Sequence, residues 1–416
     1  MDNIAHAIAG CLLAAATVSL VERRSNLGTP NVRRAATLVG VIAAELPDAD
    51  LLYAGPMMDM GKLGYLLHHR GHTHTVLFAI ASAFLLWGAA VAVHRGLRAP
   101  TLRWPLLGLA LAGTLSHIAL DFTNSYGVHP FWPVVNRWFY GDAMFIIEPW
   151  FWVAALPPLL LFARSTAARM AYGLALGAIL LAAWLVTMVG RDVALALSIG
   201  TAAWFVAVRA TPAKRRIALG FVAWLVVETA FFTSAAAARA EVHSAVSHTL
   251  HDVVLTPEIG NPLCFRALVV RTDGGRYSPA VPDHSVRYSV RSMTVAPFPS
   301  VRDASACGAP SALGGTIPPA AYTSSRSIRF GSEWTAPLQE LVALAAMNCE
   351  IAAALQFMRV PVWTRMPNGA IELSDLRYSE GGNGFASIVS QGRPAVCPRN
   401  VPGWDAPRSD VLRIRG

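Results

Sequence analysis

Long apolar stretches follow one another through the first 240 residues, separated by short polar segments. Each has close to the roughly 20 residues that an α-helix needs to cross a bilayer. The pattern predicts eight membrane-spanning helices, at 4–21, 35–53, 74–93, 104–122, 144–163, 170–189, 193–208 and 217–235. This half of the chain is therefore expected to fold as a polytopic helical bundle.

The pattern changes after Arg239, where the sequence becomes polar and mixed. Short strand-like runs appear at 265–272, 286–295, 370–378 and 385–391. The apolar stretch 337–358 contains Glu340, Asn348 and Glu350, which predicts an amphipathic helix over a small sheet rather than a ninth span. The fold class expected is mainly α, with a small C-terminal α+β domain. The domains predicted are 1–165, a further helical part at 166–239, and 240–416.

Composition and charge agree with a membrane protein. Of the 416 residues, 54% are hydrophobic and 14% charged, and the mean hydropathy is +0.44. Arginine and lysine are concentrated in alternate loops, which places those loops in the cytoplasm and both the N-terminus and the C-terminal domain outside. The basic loops are 23–34, 95–103, 164–169 and 209–216. The net charge of +9 is therefore explained by these loops and indicates the orientation of the chain in a membrane. Binding of nucleic acid is not predicted, because no nucleic-acid module is recognised.

Four of the five cysteines lie in the C-terminal domain, namely Cys264, Cys307, Cys349 and Cys397. An even number in a domain predicted to be outside indicates two disulfides of undetermined pairing. The alternative is four free thiols in a cytoplasmic domain.

Ionisable side chains cluster at one end of the predicted helices, although such residues are costly in a membrane. They are His6, Glu45, Asp48, Asp50, His68, His69, His72, His74, His117 and Asp121, followed by His129, Asp142 and Glu148. Pro47 should break the second helix, and the spacing of His117 and Asp121 puts both on one helix face. Imidazole and carboxylate together predict a metal site for zinc, manganese or iron. The alternatives without a metal are helix caps, a structural His117–Asp121 pair and a solvated pH-sensitive histidine patch.

Several of these residues fall in an ordered set of motifs. They are His6, Leu46-Pro47-Asp48-x-Asp50, His69-Arg70-Gly71-x-Thr73-His74 and Ser116-His117-x-x-x-Asp121, followed by Asn124-Ser125-Tyr126-Gly127. This order resembles the YdjM-like membrane-bound metal-dependent hydrolases over roughly residues 1–165. Weaker similarity to the extracytoplasmic part of longer members covers Asn261-Pro262-Leu263 and Asp375-Leu376-Arg377-Tyr378. The ligand order is also remotely similar to that of zinc-dependent phospholipase C and zinc nucleases.

The resemblance implies a bacterial inner-membrane location, and metal ligands at His6, Asp48, His69 or His74, His117 and Asp121, with Asp50 as a ligand or its support. Thr75 stands where serine is usual, which keeps a hydroxyl cap for the third helix. Glu148-Pro149 stands where Asp-Pro is expected.

The hypothesis is a hydrolase that acts on a phosphoester or other ester. Its centre is expected to hold more than one zinc ion, or alternatively manganese, which activates water for the attack. Asp48 or Asp121 is expected to bridge the ions, and Asp50 or Asp142 to act as general base or to orient a histidine. Arg70 is expected to bind a substrate phosphate, or alternatively to pair with Asp48, Asp50 or a lipid headgroup.

The expected partners are membrane lipids and an amphiphilic small-molecule substrate, and the oligomeric state is open. One rival function is a metal or proton transporter, which would need acidic residues within the membrane, and Glu228 is the candidate away from the cluster. The other is a non-enzymatic regulator in which metal holds the helix ends together.

Overall fold

The computed structural model describes residues 1–24, 30–55, 60–246, 250–273, 286–313, 324–378, 384–392, 394 and 396–412. Its helices are α1 Asn3–Arg24, α2 Pro30–Glu45, α3 Leu51–Ala54, α4 Gly61–His68, α5 Val76–Val93, α6 Pro100–Phe122, α7 Pro149–Phe162, α8 Thr166–Leu185, α9 Arg191–Ala210, α10 Arg216–Ala245, α11 Leu338–Met347 and α12 Cys349–Ala354. Its strands are β1 Leu250–Glu258, β2 Asn261–Asp273, β3 Arg287–Val295, β4 Ile328–Pro337, β5 Pro361–Arg365, β6 Ile371–Asp375 and β7 Ser387–Ser390.

Six helices in the described ranges are long and apolar enough to cross a membrane. They are Asn3–Glu22, Val76–Val93, Pro100–Phe122, Thr166–Leu185, Arg191–Ala210 and Ala213–Ala245. Large side chains such as Leu174, Leu185 and Leu225 are exposed on them, as expected of helices that face lipid.

The other two stretches predicted to span form shorter helices. α2 ends at Glu45 because Pro47 lies in a short 3-10 helix, Leu46–Asp50, so the stretch 35–53 is not one straight helix. α7 has 14 residues and begins at Pro149.

Close helix packing fixes the position of the 3-10 helix. α1 and α2 approach each other at Gly10 and Gly40, where a Cβ on Gly10 would overlap the Gly40 carbonyl. α2 also packs on α6, so the end of α2 lies beside the last turns of α6.

The C-terminal half forms two antiparallel sheets in the described residues, β1-β2-β3-β4 and β5-β6-β7. The strand runs expected near β2, β3, β6 and β7 are present, whereas β1, β4 and β5 were not predicted. The stretch 337–358 is helical as expected, but it is divided at Asn348, whose side chain caps α12. Leu338, Leu341 and Leu344 of α11 are buried in one hydrophobic core with the sheet residues around them.

The cysteines form two disulfides, Cys264–Cys307 and Cys349–Cys397, which leaves Cys11 as the free thiol in the described chain. The prediction of two bridges is confirmed, and the structure supplies the pairing that the sequence left open. The domain divisions at 165 and 239 stay predictions.

A buried arginine network joins the two halves. We use this name for Asp142, Arg239, Asp252, Arg359 and Arg408. Arg359 Nη1 lies 2.7 Å from Asp142 Oδ1, and Arg359 Nε lies 2.7 Å from Asp252 Oδ2. Burial by itself would raise the pKa of Asp252, but the guanidinium groups of Arg359, Arg408 and Arg239 hold it below its usual range. The C-terminal domain is therefore fixed against the loop that follows α6.

Candidate metal centre

Four side chains from three segments meet at one end of the bundle. Asp48 belongs to the 3-10 helix after α2, and His74 lies just before α5. His117 and Asp121 lie one turn apart near the end of α6, as their spacing predicted. Three of the four are completely or almost completely buried, and Asp48 is half-buried. We call these residues the four-residue cluster.

The ligand atoms of the four-residue cluster all lie within 4.8 Å of one another. His74 Nε2 is 3.1 Å from His117 Nε2 and 3.0 Å from Asp121 Oδ2. Asp48 Oδ1 is 3.4 Å from each of the two imidazole nitrogens. Two imidazoles and two carboxylates are a ligand set suited to zinc or manganese.

The hydrogen bonds of the two Nδ1 atoms determine which ring nitrogens of His74 and His117 face the space between the ligand atoms. His117 Nδ1 lies 2.5 Å from the Ala44 carbonyl oxygen. His74 Nδ1 lies 3.1 Å from the Thr73 hydroxyl oxygen, whose proton is donated to Asp50, and 3.3 Å from Asp50 Oδ2. Because these neighbours are acceptors, the protons are assigned to the two Nδ1 atoms, and both Nε2 atoms present lone pairs.

The carboxylate oxygens that face those lone pairs lack hydrogen-bond donors. Asp48 Oδ1 and Asp121 Oδ2 are both buried without a partner among the described residues. Four electron-rich atoms held together in a buried space are unfavourable unless a cation or a proton lies between them. The residues present therefore fit a divalent metal ion.

Asp50 is arranged to support this cluster. Its Oδ1 lies 3.0 Å from His69 Nδ1. Its Oδ2 accepts hydrogen bonds from the Arg70 backbone N–H at 3.0 Å and the Thr73 hydroxyl at 2.7 Å. A carboxylate with both oxygens engaged in this way is placed to orient histidines, which is one of the roles predicted for it, and its roles as ligand or general base stay predictions.

His69 belongs to a second group of candidate ligands with Asp48 and Asp50. The two groups share Asp48, one of the two residues expected to bridge two ions, whereas Asp121 belongs to the first group alone. His6 lies beside the cluster without joining either group: its Nε2 is 3.2 Å from Asp121 Oδ1, and its ring stacks on His117 at 3.7 Å.

Arg70 lies between the cluster and a cavity. Its Nη2 is 2.9 Å from Asp121 Oδ1, and its Nη1 donates to Asn124 Oδ1 at 3.1 Å. Its acidic partner is thus Asp121, not Asp48 or Asp50 as the alternative to phosphate binding supposed. Its φ of 61° is in the left-handed region, and its carbonyl lies 3.3 Å from His129 Nδ1.

Asp142 is placed differently from the prediction. Both of its oxygens are bound by guanidinium groups of the arginine network, and Arg359 and Arg239 each lie 2.9 Å from Oδ2. This geometry gives no support to the prediction that Asp142 acts as a base or orients a metal ligand, since neither candidate ligand group of the centre includes it. The partners lie 217 and 97 residues away along the chain, so the local sequence gave no sign of them.

A cavity of about 500 Å³ adjoins the centre at His69 and Arg70. Residues of both halves line it. They are Tyr65, His69, Arg70, Asn124, Ser125, Tyr126, Met144, Phe145 and Ile146 from the N-terminal half, and Val254, Thr256, Arg266, Leu268, Ser311, Leu376, Arg377, Tyr378 and Phe385 from the C-terminal domain.

Residues 1–194 match the model of the YdjM inner membrane protein family. This confirms the resemblance to YdjM proteins, whereas the hydrolase activity and the remote similarity to zinc enzymes stay predictions. The matched part, which we call the YdjM region, contains all four residues of the cluster. The C-terminal sheets lie beyond it. No curated protein and no solved structure matches the chain.

Some residues around the centre had no role in the sequence interpretation. Thr73, Asn124 and Tyr126 of the YdjM region were noticed only as members of its motifs, and Tyr378 only as part of the weaker similarity in the tail. The structure places Thr73 on Asp50 and the other three on the cavity. Their membership of the motifs was the signal available in the sequence.

Proposed function

We propose that this protein is a membrane-bound metal-dependent hydrolase that acts on a phosphoester or other ester of an amphiphilic substrate. The observation that carries the proposal is the four-residue cluster, in which two imidazole lone pairs face two carboxylate oxygens without donors. A divalent ion held there supplies a nucleophile from water at neutral pH and withdraws charge from a phosphoryl or acyl oxygen.

The residues of the chain divide the remaining tasks. Asp48, His74, His117 and Asp121 would hold the ion, and zinc is the first choice for this donor set, with manganese as the alternative. Asp50 holds His69 and His74 in position. If a second ion is bound, the group of His69, Asp48 and Asp50 would hold it, and Asp50 would then act as a ligand instead of a support.

The centre is proposed to face the outer side of the membrane. The basic loops lie at the opposite ends of the helices, which supports a cytoplasmic position for those loops. Both disulfides lie in the C-terminal domain that covers the centre, and disulfides persist in oxidising compartments.

The first test is the metal content per chain of detergent-purified protein, measured by elemental analysis. The native protein is compared with the double variant His117→Ala and Asp121→Ala, and with His243→Ala as a control that removes an exposed histidine on α10. We expect bound zinc or manganese in the native protein and the control, and its loss in the double variant. Equal metal content in all three would refute the site.

The second test is hydrolysis by the metal-loaded protein in detergent micelles. Phosphoesters and carboxylic esters with an acyl or isoprenoid chain are compared with water-soluble esters. We expect the native protein to hydrolyse the amphiphilic esters faster than the water-soluble ones. The double variant should hydrolyse neither. Tight metal binding without turnover of any ester would favour the regulator, and metal uptake into vesicles would favour the transporter.

A further inference from the structure

The cavity beside the centre contains unused hydrogen-bond donors. Arg70 Nε, Asn124 Nδ2, Tyr126 Oη and Tyr378 Oη are all buried without a partner among the described residues. All four side chains line the cavity. Arg70, Asn124 and Tyr126 are each 5% exposed or less, so bulk water does not supply the missing bonds. Buried polar groups are normally paired, and four orphan groups around one space indicate a missing ligand.

The orientation of Asn124 follows from its neighbours. Asn124 Oδ1 accepts hydrogen bonds from Arg70 Nη1 at 3.1 Å and from the Tyr126 backbone N–H at 2.9 Å. An oxygen with two donors identifies that atom as the carbonyl side of the amide, so Nδ2 is the atom left over.

The two tyrosines are donors at neutral pH. Burial raises the pKa of Tyr378 to about 12, and it raises the pKa of Tyr126 well above its usual value. Their hydroxyls therefore keep their protons. The rings lie side by side, with their centroids 5.9 Å apart.

The described lining of the cavity suits an anion because it offers basic side chains and no acidic one, although Arg70 also pairs with Asp121. Its described lining residues include Arg70, Arg266 and Arg377 and no aspartate or glutamate. Arg377 is occupied, since it pairs with Asp375 and donates to the Ser125 carbonyl at 2.6 Å. It thus holds the loop after α6 against the C-terminal domain.

The rest of the lining is apolar. Met144, Ile146, Leu268, Leu376 and Phe385 form this part of the wall. Ile146 and Phe385 are 42% and 45% exposed, which places an apolar side at the surface. An anionic head beside the metal centre and an apolar chain along this wall would match both parts of the cavity.

We propose that Arg70, Asn124, Tyr126 and Tyr378 form a binding subsite for the phosphoryl group of the substrate, and that the C-terminal domain completes it with Tyr378. The proposal rests on the proposed function for its identification as a substrate site. It adds that the domain beyond the YdjM region is part of that site.

The experiment measures binding of inorganic phosphate to the metal-loaded full chain in detergent by equilibrium dialysis. Tyr126→Phe and Tyr378→Phe each remove one hydroxyl and nothing else. The control is Tyr288→Phe, because the Tyr288 hydroxyl is also buried without a partner but does not line the cavity. We expect phosphate binding on the order of tenfold or more weaker in each of the first two variants and unchanged in the control.

A second arm distinguishes the source of the phosphoryl group. Short-chain phosphatidic acid and glycerol phosphate compete against inorganic phosphate. Tighter binding of the lipid, weakened by the same two substitutions, identifies a lipid phosphoester. Equal binding of all three means that the lipid chain contributes nothing, which overturns the lipid source and leaves a soluble phosphate compound.

Metal content, measured on the same samples, separates this proposal from the function. If metal is bound but both tyrosine variants bind phosphate as the native protein does, the subsite is wrong and the hydrolase proposal stands. If no metal is bound but the two variants still lose phosphate, the subsite is right and the hydrolase proposal is wrong. No phosphate binding by folded, metal-loaded native protein overturns the subsite.

Discussion

Two buried groups of charged residues lie near each other and differ in how their carboxylates are satisfied. In the arginine network, guanidinium groups reach each oxygen of Asp142 and Asp252. In the four-residue cluster, Asp48 Oδ1 and Asp121 Oδ2 face imidazole lone pairs without a donor. The carboxylates of the first group are satisfied by protein donors, whereas those of the second leave a place for a cation between them. Burial of an aspartate does not by itself distinguish structure from function, whereas a buried carboxylate oxygen without a donor points to a missing partner.

The largest expected effect comes from breaking the arginine network. Arg359→Met leaves two buried carboxylates without their main partner, which should lower the free energy of unfolding by about 3–5 kcal/mol. Denaturant unfolding of the purified protein measures this loss. Arg365→Met, which removes an exposed ion pair with Glu340, should have an effect below about 1 kcal/mol. Metal content should stay unchanged in both variants, and its loss in Arg359→Met would mean that the two groups are not separate.

Metal removal tests the four-residue cluster. Chelation should lower the unfolding temperature, because an ion that binds only the folded state at 100 times its dissociation constant contributes about 2.7 kcal/mol. Thermal unfolding with and without a chelator measures the difference, and adding zinc back should reverse it. His74→Ala should remove the response to chelation. A chelator effect of equal size in His74→Ala would place the ion elsewhere.

Asp50→Asn tests whether the supporting carboxylate tunes the cluster. It keeps the shape of the side chain but removes the charge that faces His69 and His74, so metal affinity should fall about 10–100-fold. Competition with a metal-binding dye gives the affinity. The matched control is Asp192→Asn, whose partner Arg302 lies outside the centre. An unchanged metal affinity in Asp50→Asn would mean that Asp50 stabilises the end of the helix without affecting the metal ligands.

Acid should weaken the arginine network through Asp252. Its folded-state pKa lies below its unfolded value of about 3.9, so its contribution is present above that pH and is lost as the pH falls through the folded pKa. Unfolding midpoints measured from pH 5 to pH 2 should fall more steeply in the native protein than in Asp252→Asn. Parallel curves would mean that other carboxylates govern the acid response.

The smallest effect concerns the cap beside His74. The Thr75 hydroxyl accepts a hydrogen bond from the Phe78 backbone N–H at 3.0 Å, as the sequence predicted. Thr75→Ala should cost about 1 kcal/mol of stability, and Thr75→Ser should restore it. Ser165→Ala removes the corresponding cap of α8 and should cost a similar amount without changing metal affinity. Metal affinity that is unchanged in Thr75→Ala would show that the cap does not position His74.

The parts of the centre that could be predicted from the sequence depend on local rules. Helical periodicity placed His117 and Asp121 on one face, and Pro47 marked the end of α2. Alternation of the helices then brought their polar ends to one side of the bundle. These rules concern residues a few positions apart, for which backbone geometry leaves few alternatives.

The parts that could not be predicted depend on distant pairing. Asp142 looks like the other aspartates until Arg359 is brought to it by the folding of the C-terminal domain. The cavity requires Tyr126 and Tyr378 to meet, and their positions along the chain contain no information about that contact. β1 and β4 were missed for a similar reason, since their strand structure is stabilised by the ladders with β2 and β3.

The bonds from Arg377 to the Ser125 and Tyr126 carbonyls also bear on the order of events during synthesis. The segment 122–127 is made and inserted long before residue 377 leaves the ribosome. Its backbone cannot have its full set of partners until the last sheet has folded around Asp375. A newly made chain would therefore pass through a stage with the four-residue cluster assembled and the adjoining cavity unfinished, so maturation of the protein would end with its C-terminal domain.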